Sequence, residues 1–114
     1  MKEALEAIAE MLERGEKSKV KFAPGTAQYT LQTNRGNALR IAAALIEQEM
    51  GRQHAMDGFQ KEDLEKASAP IASLISKSEK AKQKLPPGTW QHTMLEKNLK
   101  ALYLASSLLA KALA

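Results

Sequence analysis

The chain contains no cysteine, has a single valine (Val20), and has only five aromatic residues among its 114. Without cysteine there are no disulfides, no thiolate nucleophile and no Cys-ligated zinc or iron–sulfur centre. Scarcity of β-branched and aromatic side chains argues against strands, which draw on both. Long apolar runs are missing too: nothing approaches the roughly 18 uncharged residues of a membrane span. Acids interrupt the opening Met1-Lys2-Glu3-Ala4-Leu5-Glu6-Ala7 before a signal-peptide core could form. The expectation is a soluble cytoplasmic protein with no membrane partner.

What the chain does have is 19 Ala, 15 Leu, 5 Ile and 5 Met, with 26% charged residues and a formal net charge of +4. Ala, Leu, Met, Glu, Lys and Gln lose little side-chain entropy in a helix. The composition therefore reads as an all-α fold, and the length as one domain.

The sequence is also written twice. Setting each residue against the one 63 positions later gives 16 identities in 51 ungapped pairs. Lys21-Phe22-Ala23-Pro24-Gly25-Thr26-Ala27-Gln28-Tyr29-Thr30 falls on Lys84-Leu85-Pro86-Pro87-Gly88-Thr89-Trp90-Gln91-His92-Thr93. A shared Ala-Leu bias scatters matches but does not place Pro-Gly-Thr-x-Gln-x-Thr twice in register. The expected organisation is a tandemly duplicated helical hairpin, with repeat 1 at 1–51, a linker at 52–63 and repeat 2 at 64–114, folded as an up-down-up-down four-helix bundle.

Apolar spacing places the helices. Leu5, Ile8, Met11 and Leu12 mark a first helix over about 2–14, with Gly15 as its stop. A second runs from Gly25 or Thr26 to about Met50, a third over about 61–83 with Pro70 inside it or marking a later start, and a fourth over about 89–113. Thr26 or Gly25 can cap the second helix, and Gln28 can reach back if Gly25 does. Its inward stripe reads Gln28, Leu31, Arg35, Ala38, Ala42, Leu45, repeated as Gln91, Met94, Asn98, Ala101, Ala105, Leu108. The alanines would let the second and fourth helices approach closely about a pseudo-twofold axis.

In that fold the ends of helices one and three lie beside the starts of helices two and four. Residues 13–26 carry Arg14, Lys17, Lys19 and Lys21 against Glu13 and Glu16, net +2. Residues 76–89 carry Lys77, Lys80, Lys82 and Lys84 against Glu79, net +3. The whole basic excess is gathered at one end. Two helix N-termini open there, which suits an anion or a nucleic-acid backbone. The candidate anion-binding pole spans residues 14–28 and 77–92. It comprises Lys17, Lys19, Lys21, Gly25, Thr26 and Gln28 from the first copy. The second copy adds Lys80, Lys82, Lys84, Gly88, Thr89, Trp90, Gln91 and His92. Lysines closing a helix and threonines capping one need no ligand, and Trp90 reads first as a packing lid over the bundle end.

Divergence between the copies marks a second surface. Leu95, Leu99 and Tyr103 stand at i, i+4, i+8 where repeat 1 has Gln32, Gly36 and Arg40. An apolar stripe outside an already filled core face is either covered by neighbouring helices or left for a partner. These three residues are the candidate protein-contact or homodimer surface.

Catalytic constellations are lacking. His54 and His92 have no i, i+4 metal-binding partner, His-Glu-x-x-His is absent, and Pro-Gly-Thr lacks the further Gly and Lys of a phosphate-binding loop. The acids around Glu62 and Asp63 fit capping of the third helix. The reading is a non-catalytic protein, with no metal or cofactor, acting through a protein partner or as a homodimer. The alternative is anion or nucleic-acid backbone binding at the pole, with nucleic acid not favoured.

Overall fold

The computed structural model describes residues 1–114, which form four helices and no strand: α1 (Lys2–Lys19), α2 (Ala27–Glu49), α3 (Lys61–Gln83) and α4 (Trp90–Leu113). Each helix packs on its chain neighbours, α4 closes the ring on α1, and α2 touches α4 across the middle while α1 and α3 never meet. The section is thus a rhombus with α2 and α4 on its short diagonal. Small side chains make that diagonal possible. Ala38, Ala42, Ala101 and Ala105, on the inward stripes of these two helices, are all buried. Around them Ile8, Ile46, Ile71 and Leu102 are the largest fully buried side chains, each worth about 1.5–3 kcal/mol relative to exposure.

Both hairpin turns are built alike. Pro24 and Gly25 occupy the centre of a turn in which Thr26 N–H donates to Ala23 O at 3.2 Å, and Gly25 has φ +88°. Proline at the second position and positive φ at the third define a type II turn. The second copy repeats it, with Thr89 N–H donating to Pro86 O at 3.4 Å and Gly88 at φ +87°. The threonine hydroxyls then do double duty. Thr26 Oγ1 donates to Ala23 O at 2.8 Å and accepts from Tyr29 N–H at 3.3 Å; Thr89 Oγ1 does the same with Pro86 O and His92 N–H. The Pro-Gly-Thr part of the repeated motif is therefore a turn and an N-cap.

Several expectations are corrected. Gly15 does not stop α1, which continues to Lys19. One more turn brings Glu16 to Arg40 of α2 at 2.9 Å and Lys17 to Glu13 at 3.4 Å, and this packing outweighs the low helix propensity of glycine. Pro70 sits inside α3, nine residues past its start, so it neither opens the helix nor ends it. Thr26, not Gly25, caps α2, and Gln28 and Gln91 are exposed instead of reaching back. The inward stripe of α2 begins later than its spacing suggests: Leu31 is 45% exposed, and full burial starts only at Gly36. The helices are well packed toward the linker end, where Met56 and Phe59 lean on the core, and open toward the pole.

Candidate functional site

The basic residues of the charge pattern lie in the last turns of α1 and α3 and in the loops that follow them. Of Arg14, Lys17, Lys19, Lys21, Lys77, Lys80, Lys82 and Lys84, only Lys17 has a carboxylate within ion-pairing distance. Lys19 instead holds its ammonium 5.2 Å above the ring of Tyr29, a cation–π contact. Trp90 is not a lid. It is 72% exposed, in the first turn of α4, and Val20, Phe22 and Leu31 are exposed at the same end. Trp90 lines a depression between α1 and α4 with Glu3, Glu6 and Glu10, whose carboxylates offer an indole little apolar floor.

The outer stripe of α4 is corrected as well. Leu99 is only 4% exposed, Leu95 is half-buried, and Tyr103 alone of the three faces solvent. Leu95 turns inward, into the open end of the bundle, with Gln32 and Leu74. Leu99 forms the floor of a groove between α3 and α4, covered by α3. The sequence at this position in the two hairpins explains why one needs leucine. In the first, Gly36 leaves space that the Arg40 guanidinium fills on its way to Glu16; a Cβ on Gly36 would lie 3.5 Å from both groups. In the second, Leu99 fills that space and Tyr103 passes over it to donate a hydrogen bond to Glu79.

The groove holds members of both sequence-predicted sets. Lys80, Lys82 and His92 from the pole and Leu99 and Tyr103 from the stripe line one depression of about 740 Å³, with Leu85 and Pro87 at its rim. Its one acid, Glu79, is engaged by Tyr103, whose hydroxyl is held above the usual tyrosine range by that hydrogen bond first, then by desolvation and by the charge of Glu79. His92 Nδ1 lies 2.9 Å from Glu96 Oε1 but out of hydrogen-bond alignment and away from solvent. Lys17, Lys19 and Lys21 stand on the other hairpin, and Lys84, Gly88, Thr89 and Gln91 lie in and after the turn leading into α4.

A second depression was not foreseen as a site. It opens between all four helices at the pole, holds about 330 Å³, and is lined by Arg14, Arg35 and Lys77 without any acid. Arg14 and Lys77 are visible in the charge pattern. Arg35 is hidden among apolar stripe positions, although the matching position of the other copy, Asn98, is also polar. That coincidence was the available signal. No three His, Cys, Asp or Glu side chains gather as a metal cluster, and no helix is long and apolar enough to cross a membrane.

Compared with protein-family models, curated proteins and solved structures, the chain matches none.

Proposed function

We propose that this chain is a non-catalytic cytoplasmic recognition module that holds an acidic segment of a partner protein in the α3–α4 groove. The observation that carries this reading is the meeting of Lys80, Lys82, His92 and Tyr103 around one groove floored by Leu99. Lysines supply attraction to acids, while Tyr103, Leu85 and Pro87 supply the apolar and aromatic surface typical of the centre of a protein contact. The equivalent place on the first hairpin carries Arg40 paired with Glu16 where the groove has Tyr103 on Glu79, so the two hairpins present different chemistry there. Self-association through Leu95, Leu99 and Tyr103 is not part of the proposal, because Leu99 is enclosed. The origin we propose for the asymmetry is duplication of one hairpin followed by divergence, supported by the 63-residue register of identities and by the twin turns and caps.

A second reading has its own observation: Trp90, 72% exposed, suits stacking on a nucleic-acid base, although Glu3, Glu6 and Glu10 line the depression beside it. One titration separates the two, followed through the fluorescence of Trp90, the chain's one tryptophan. A Glu-Tyr copolymer, polyglutamate and oligo-dT are compared at equal charge and fixed salt. The protein reading expects the Glu-Tyr copolymer to bind best and Lys80→Gln/Lys82→Gln to weaken it by about tenfold or more. Preference for oligo-dT, lost in Trp90→Ala when binding is read instead by the anisotropy of fluorescently labelled oligo-dT, replaces it with the nucleic-acid reading. Absence of binding to all three overturns both.

A further inference from the structure

We infer that the cavity between the four helices at the pole is a binding site for a small multiply charged oxyanion of the phosphate class, distinct from the α3–α4 groove. Arg14, Arg35 and Lys77 line it, and none of the three has a carboxylate partner. Arg14 reaches nothing better than the thioether of Met94 at 3.8 Å. Arg35 Nε is sealed from solvent and has no hydrogen-bond partner at all. Arg35 as a whole is part-buried, and an Nε cut off from water without a partner carries a cost that a hydrogen-bonding anion would offset.

The surroundings strengthen the assignment. Asn98, the one buried polar side chain at 6% exposure, lines the same cavity, as do Ser78 and Gln32. These groups offer hydrogen bonds to oxygens that the cations neutralise. Leu39 and Leu95 form apolar wall, where charge–charge attraction is less screened than at the surface. Arg14/Lys77 and Arg35/Asn98 are each 63 residues apart, and all four line the cavity, so both hairpins supply donors to one ligand.

Size and charge narrow the class. At roughly 30 Å³ per water, a volume of about 330 Å³ is more than one orthophosphate needs and accommodates a diphosphate or a small phosphate ester. Three cations without an acid match the charge of a diphosphate. Guanidinium groups favour such ligands because their planar donors engage two oxygens at once.

Thermal unfolding of the full chain tests the site in phosphate-free buffer at constant ionic strength. The probes are inorganic phosphate, pyrophosphate and glycerol phosphate, with sulfate as the control. Pyrophosphate or glycerol phosphate is expected to raise the midpoint saturably, and whichever binds tighter identifies the source of the phosphate group. Arg35→Met is expected to melt no lower than the natural chain without ligand, since it removes an Nε that is sealed without a partner, and to lose the ligand-induced rise. Lys77→Gln, at the cavity mouth, should weaken binding by about tenfold and Lys84→Gln, outside it, by less than about twofold. No saturable rise with any phosphate probe, an equal rise with sulfate, or an undiminished rise in both Arg35→Met and Lys77→Gln overturns the inference. Loss of binding in these variants leaves the groove titration untouched, so the two sites fail or stand separately.

Discussion

Glu16 meets Arg40 at 2.9 Å between α1 and α2, and 63 residues later Glu79 accepts a hydrogen bond from Tyr103 between α3 and α4. The carboxylate is kept and its partner has changed from a cation to a phenol. Beneath each pair the packing has changed in step, from Gly36 to Leu99.

That coupling predicts opposite outcomes for two substitutions at Gly36. Alanine places a Cβ in ordinary contact with the ends of two flexible side chains and removes a mid-helix glycine. Gly36→Ala should stabilise by about 1 kcal/mol, raising the melting midpoint by roughly 4–8 °C. Gly36→Leu should displace Arg40 from Glu16 and gain less than alanine does, or lose stability. Equal gains from both would contradict the compensation.

The Tyr103–Glu79 hydrogen bond predicts a pH dependence. Tyr103 has its pKa raised in the folded chain, so the neutral phenol is the stabilising form. Its contribution is complete below the ordinary tyrosine pKa of about 10 and is lost as pH rises through the elevated folded value. Denaturant midpoints should fall across that alkaline window and flatten in Tyr103→Phe. The same slope in both proteins would disprove the link.

The α2–α4 seam is tested by size. Ala38 is enclosed there, and Ala38→Leu should cost about 1–3 kcal/mol through overpacking. A thermally neutral Ala38→Leu would mean that the helices do not approach through this alanine.

Twin caps should behave as twins. Thr26 and Thr89 each accept a backbone N–H at 3.3 Å, so Thr26→Ala and Thr89→Ala should each cost about 0.5–2 kcal/mol. Far-apart, independent sites add, and the double variant should lose the sum in chemical denaturation. A cost confined to one threonine would break the equivalence.

The fold was legible where a single helix decides the matter. Apolar spacing found all four helices, and Ala38, Ala42, Ala101 and Ala105 on the inward stripes are buried. It was less legible where neighbours decide. Gly15 reads as a stop because propensity is local, while the Glu16–Arg40 pair that carries α1 past it is 24 residues long-range. Leu99 reads as exposed because spacing says which side of α4 it occupies, not how far α3 covers that side. Trp90 reads as a lid because the stripe of α4 does not reveal that Glu3, Glu6 and Glu10 of α1 stand beside it. The groove and the cavity both arise from juxtaposition, so their residues were visible singly but not as sets.

The missing contact between α1 and α3 bears on how the molecule opens. Helices α2 and α4 hold eight and six buried residues, α3 holds three, and α1 only Ala7 and Ile8. An outer helix can detach with little disturbance of the other, because their backbones make no close approach and only side chains around the cavity bring them together. Amide hydrogen exchange should accordingly be graded by helix: α1 loses protection first and α3 later, while α2 and α4 exchange only with global unfolding. The cavity borrows Arg14 from the first of these and Lys77 from the second, so an anion seated there would tie the two most easily released helices to the same spine.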